Sequence, residues 1–135
     1  MKAIKIDVVN QKVEQVSIGN DLEDIYEQIA NGCTTFTCVY GLDTADVIYA
    51  DDEAILKDVQ GGFMLHSMKY PIVGNGLVLG TNLEGESVSS EVSVDFLEKN
   101  IIWLDKSTAE DWANEVLSNP IQIINLNDLR LYGLL

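Results

Sequence analysis

Three groups of residues have types and spacings that chemistry uses. The first is "PIVGNGLVLG", residues 71–80, with glycines at 74, 76 and 80. Glycine-rich turns cradle phosphate when their backbone amides open a helix and a lysine follows. Here no lysine follows, the last gap is one residue too long for a dinucleotide fingerprint, and the residues behind the glycines are strand formers. The segment therefore reads as a turn into a core strand. Pro71 fixes an extended approach, Gly74 or Gly76 supplies a positive φ or a close approach, and Gly80 releases the strand. The second group is carboxylates. Asp51, Asp52 and Glu53 offer oxygen ligands for a hard cation but lack the alternating spacing of a calcium loop. Asp46 and Asp51 would serve as a hydrolytic pair only if they faced each other across a cleft.

The third group is His66, the only histidine, with Cys33 and Cys38, the only cysteines. Three such ligands suit zinc. An odd separation of five places the two cysteines on opposite faces of an extended strand, against a shared metal and against their pairing. The sequence thus assigns no catalytic residue, no metal set and no cofactor. A small metal-dependent hydrolase or ligand-binding domain using Asp46, Asp51, Asp52 and His66 stands as an alternative reading.

These residues need a scaffold, and periodicity supplies it. "MKAIKID" alternates apolar and charged residues, and "VEQVSI" continues the pattern beyond "NQK", which predicts an opening hairpin. "NDLEDIYEQIANG" predicts a helix with Asn20 as cap, Glu23 completing a capping box, and Leu22, Ile25, Tyr26 and Ile29 as its apolar stripe. "TTFTCVY", "ADVIYA", "GLVLG" and "IIWLD" predict strands. Ser90 is expected to cap a short helix ending near Asn100. Ser107 and Glu110 bracket the start of a last helix with Ala109, Trp112, Ala113, Val116 and Leu117 inward. Ile121, Ile123 and Ile124 suggest a strand or an extended wrap in the tail. Strands and helices intersperse without a repeating strand-helix-strand unit. The expected fold is α+β, a mainly antiparallel or mixed sheet with two to three helices packed against it. One domain spans 1–135, with 105–135 an elaboration at its C-terminal side.

Charge excludes more than it assigns. The chain holds 22 acidic residues against 8 Lys and Arg, a formal net charge of −14. A nucleic-acid groove needs the opposite sign, so direct nucleic-acid binding and anionic membrane surfaces are disfavoured. A basic protein is steered in by the same field, although acidic surface also serves solubility alone. The excess is spread: 12 acids and 4 lysines in the first 60 residues, 10 acids and 4 bases in the rest. No run approaches the ~20 apolar residues of a membrane helix. The opening residues read as a first strand rather than a signal peptide, so a cytoplasmic location is the expectation. Acids on helix faces, Glu23, Asp24 and Glu27 in one and Glu110, Asp111 and Glu115 in another, are candidate protein-binding residues. Phe63, Met64, Met68 and Tyr70, around a Gly-Gly break, are an apolar candidate patch for a partner or for a structural homodimer without a ligand.

The opening "KAIKIDVVN", the helix "LEDIYEQIANG", the strand "DVIYADDEAILK" and the segment "PIVGNGLVLG" together resemble a family of small uncharacterised proteins of phages, plasmids and Firmicutes-type bacteria, a domain of unknown function. The resemblance spans roughly residues 2–104. It implies no catalytic residue. It implies a setting in which small acidic proteins of mobile elements bind host proteins, including nucleic-acid-handling and defence proteins, some by resembling DNA in charge. For such mimicry the acids of the two helices would have to form one rail.

Overall fold

The computed structural model describes residues 1–42 and 44–118. The tail strand expected near 121–124 lies outside the described residues, as does Arg130. The described chain runs β1 (Lys2–Asp7), β2 (Lys12–Ser17), α1 (Leu22–Ile29), β3 (Phe36–Gly41), β4 (Asp46–Asp51), a 3-10 turn (Ala54–Leu56), β5 (Gly62–Leu65), β6 (Ile72–Val73), β7 (Gly76–Thr81), β8 (Ser87–Val88), α2 (Val94–Asn100), β9 (Ile101–Leu104) and α3 (Lys106–Ser118). Among the described residues this is an α+β fold of three α-helices and nine strands in two open antiparallel sheets.

The larger sheet has the order β2-β1-β7-β4-β3, with β8 also on β7. β7 is its hub, pairing antiparallel with β1, β4 and β8. Five of its six residues are buried, as expected of a central strand covered on both faces. Period-two alternation sorts its side chains. Leu77 and Leu79 join Ala3, Ile25 and Ile29 in the layer under α1, whereas Val78 joins Ile4 and Ile48 on the opposite face. The register confirms this, because Ile4 and Ile48 both lie opposite Val78.

The second sheet, β6-β5-β9, packs its inner face on the first. Phe63 and Leu65 from β5 fill the space between the sheets with Leu97 from α2. α3 covers the outer face, where Ala109, Ala113 and Val116 meet Ala54, Ile55, Val59 and Val73. The layers are therefore α1, large sheet, small sheet, α3. "FMLHSM" is consequently not an exposed loop. Phe63 and Leu65 are fully buried because an alternating strand sends every second side chain inward, and Met68, in the turn after β5, is 7 % exposed because its amide bonds back to the Leu65 carbonyl. Burying a side chain such as Phe63 stabilises by roughly 1.5–3 kcal/mol.

Helix starts differ from expectation by a few residues. α1 begins after Asp21 rather than Asn20, and no side chain caps it. Ser93, not Ser90, caps α2, accepting a hydrogen bond from the Phe96 amide at 3.0 Å. Asp105, not Ser107, caps α3, accepting from the Thr108 amide at 2.8 Å, a bond that holds its carboxyl below the ordinary value. In each case several capping-type residues stand close together. The apolar face that must meet the sheet decides which of them stays outside the helix.

Candidate functional site

The two carboxylates read as a hydrolytic pair lie at opposite ends of β4. Five residues of strand separate them by about 17 Å, beyond the 5–9.5 Å or so of a glycosidase pair. Asp46 is 1 % exposed. Its carboxylate accepts hydrogen bonds from the Glu91 amide at 2.9 and 3.0 Å and from the Val92 amide at 2.6 Å. That clamp ties the segment before α2 to the large sheet. Gly80 belongs to the same joint. It lies within β7 rather than releasing it, and a Cβ there would sit 2.6 Å from the Ser89 carbonyl oxygen and 3.2 Å from Asp46 Oδ1.

Asp51 works differently. It is 8 % exposed, accepts from the Glu53 amide at 2.9 Å, and pairs with Lys57 at 2.6 Å. Lys57 also donates to the Gly32 carbonyl at 3.0 Å, bridging β4 to the end of α1. The thiol of Cys33 is pushed up to about 11, first by burial and next by the charge of Asp51, whose effect there exceeds the opposing effect of Lys57. Cys33 precedes β3 and is buried, whereas Cys38 is exposed within it. His66 is exposed at the end of β5, its amide bonded to the Asn100 carbonyl. Among the described residues no group of three His, Cys, Asp or Glu side chains converges to hold a metal.

Asp51 is, however, part of a cavity of about 230 Å³. Val8 and Val9 at the end of β1, Ile29 to Asn31 at the end of α1, Ala54, Val59 and Gln60, and Val73 to Asn75 complete its walls. The "GNG" turn thus borders a cavity although it is no phosphate loop. Gly74 adopts φ +85°, and Gly76 supplies the close approach: a Cβ there would lie 2.8 Å from the Phe63 ring. Asn75 accepts from the Val8 amide at 2.9 Å and donates to the Gln28 carbonyl at 3.5 Å, holding β1 and α1 together. Across the cavity, Ala30 has φ 63° and ψ −161°, a conformation nearly confined to glycine. Asn31 and Gly32 follow with φ 51° and 70°. Residues 30–32 close α1 and the "GNG" segment turns into β7 as its glycines predict, but only the fold puts the two turns on one cavity. An asparagine beside glycine in each was the available signal.

The acidic candidates are distributed rather than gathered. Glu23 and Glu27 are exposed on α1 and Asp24 is half-buried; Asp111 and Glu115 are exposed on α3, and Glu110 is half-buried. α1 and α3 are the outermost layers with both sheets between them, so their acids do not form one rail. Glu110 instead faces Asp58 and Lys57 across a polar cleft. Of the apolar candidates, Phe63 and Met68 are core, Met64 is half-buried, and Tyr70 stacks on Trp112 with centroids 6.0 Å apart. Pro71 directly precedes β6.

Comparison with protein-family models, with curated proteins and with solved structures finds no match to this chain. Among the described residues no helix is long and apolar enough to cross a membrane.

Proposed function

We propose that the chain is an acidic protein-binding module that engages a basic partner through the outer face of α1 or of α3. One observation carries this reading. Each helix displays an exposed like-charge pair at i and i+4, Glu23 with Glu27 and Asp111 with Glu115. Such pairs cost an isolated helix about 0.2–0.5 kcal/mol. The ion pairs among the described residues use Glu14, Asp51, Asp95 and Glu110, so Glu23, Glu27, Asp111 and Glu115 have no ion-pair partner among the described residues. Acids kept against local repulsion, on helices anchored by buried faces, suit a surface that meets positive charge elsewhere. The resemblance to proteins of mobile elements extends the reading to a host nucleic-acid-handling or defence protein as the partner.

Charge reversal distinguishes recognition from mere solubility. Glu23→Lys with Glu27→Lys, and separately Asp111→Lys with Glu115→Lys, are compared with Glu84→Lys and Glu86→Lys at the exposed β7–β8 turn, which changes net charge equally. Capture from host lysate is measured at low salt and at about 0.5 M, where screening is nearly complete beyond ~4 Å. A helix-specific, salt-sensitive loss of a discrete partner supports the proposal. Equal loss from all three variants, or no retained partner, removes it.

A further inference from the structure

We propose that the cavity beneath the Gly74–Asn75 turn is a binding site for an alkylammonium group, carried either by a small free amine or by a lysine side chain. Its volume of about 230 Å³ lies below the ~300–1,000 Å³ of drug-sized sites, so the ligand is of amino-acid or side-chain size. The aliphatic part has a matching wall in Val8, Val9, Ile29, Ala54, Val59 and Val73.

The polar part is set by which hydrogen-bonding groups remain unspent. Asn31 and Gln60 use their amide nitrogens on Asp58, and Asn75 uses its own on the Gln28 carbonyl. Asn31 and Gln60 keep oxygen acceptors. Asp51 carries about four acceptor positions and spends one on the Glu53 amide and one on Lys57. Asn31 and Asn75 each keep one N–H, but the unspent positions on Asp51 and the oxygens of Asn31 and Gln60 outnumber these, and the lining includes no basic side chain among the described residues. The C-terminal end of α1, which forms one wall, adds the negative end of a helix dipole, and its last turn carries no basic residue to offset it. Lys57 pairs with one oxygen of Asp51 but is not part of the lining, which leaves Asp51 as the one charged side chain on the wall among the described residues. A ligand that donates two or three hydrogen bonds and brings positive charge fits; a phosphate or carboxylate does not. The Ala30 conformation gives a second reason to regard the wall as a site. A glycine-type backbone held by an alanine is strained, and such strain gathers at ligand clamps.

The test is titration of the 15N-labelled chain with n-butylammonium chloride to about 50 mM, since a ligand this small binds in the millimolar range. Saturable shifts are expected at the amides of Ala30, Asn31 and Gly74, with n-butanol, the neutral counterpart, at least about tenfold weaker. Asp51→Asn is expected to weaken the amine about tenfold or more. That variant also loses the Lys57 pair, so Val9→Trp is made beside it. Val9 is 61 % exposed at the rim, and an indole there closes the mouth while keeping every charge. Competition by a lysine tripeptide, absent for its N-acetyllysine form, assigns a protein side chain as the source; binding of the amine without such competition assigns a free amine. No saturable shift, an equal response to butanol, or amine binding unchanged by Val9→Trp overturns the proposal. None of these substitutions touches the acids of α1 or α3, so this site and the helical surfaces stand or fall separately.

Discussion

Replacing Gly76 tests whether a close approach, rather than a backbone conformation, demands glycine there. Gly76 has no positive φ. A Cβ on it would lie 2.8 and 3.1 Å from two atoms of the Phe63 ring and 3.2 Å from Ile48 Cγ2. Ordinary carbon contacts are about 3.5–4.0 Å, so the two sheets would have to part by several tenths of an ångström. Both neighbours are fully buried and cannot swing aside. Overpacking of this kind costs about 1–3 kcal/mol. Gly76→Ala belongs near the lower end and Gly76→Val at or above the upper. At about 4 °C per kcal/mol for a domain of this size, the melting temperature should fall by roughly 4–8 °C and 12 °C.

The decisive measurement is a double-mutant cycle by urea unfolding. Phe63→Leu removes the ring atoms that the new methyl meets, so Gly76→Ala with Phe63→Leu should cost less than the two single changes together by about 1 kcal/mol. Strict additivity, within about 0.3–0.5 kcal/mol, would refute the steric account. Gly74 is the control. Its φ is +85° and its nearest neighbour, Ala54 Cβ, is a comfortable 3.7 Å away. Gly74→Ala should therefore cost about 1–2 kcal/mol, with no relief from Ala54→Gly.

Three further outcomes follow from buried or bonded groups. Asp46→Asn keeps one acceptor oxygen where the carboxylate served two amides, and should lower stability by about 1.5–3 kcal/mol in urea with an unchanged m-value; an effect below about 0.5 kcal/mol would remove the clamp from the account. Burial raises the Asp7 carboxyl, but the side chain and amide of Asn10, then Lys5 and the Val9 amide, together hold it below 3.8. The stability this confers is complete above the unfolded value and is lost as pH falls through the lower folded one. Asp7→Asn should accordingly flatten the acid limb of stability below about pH 4, and an identical limb in both proteins would contradict this. Burial raises both thiols, that of Cys33 to about 11, but Cys38 is exposed and Cys33 is not, so iodoacetamide should modify Cys38 faster, and equal rates by mass spectrometry would count against the burial of Cys33.

Much of the secondary structure was legible because its signals are local. The alternation of Ile4, Ile6 and Val8 and the stripe of Ile25, Tyr26 and Ile29 each need only a few neighbouring residues to declare themselves, whereas Leu22, expected in the same stripe, is 55 % exposed at the first turn of α1. The α+β class followed from the order of such segments. The placement of Phe63 did not, because whether an alternating strand packs inward depends on a second sheet that no local pattern announces. Asp46 reads as one acid among many until the fold delivers two amides from 45 residues away. The cavity was hidden for the same reason. The residues that enclose it come from five separate stretches between Val8 and Asn75, and each taken alone is only a turn or a strand end.

The central place of β7 also has a consequence in time. On a ribosome the β1–β2 and β3–β4 hairpins are complete before the strand that joins them exists. At about 5–20 residues per second, β7 follows β1 by roughly 4–14 s. Ile4 waits through that interval, and Ile48 through about its last 1.5–6 s, for the Val78 that lies opposite both. A nascent chain arrested before residue 76 would hold two hairpins with open edges and no large sheet, the stage at which a growing chain most needs a chaperone.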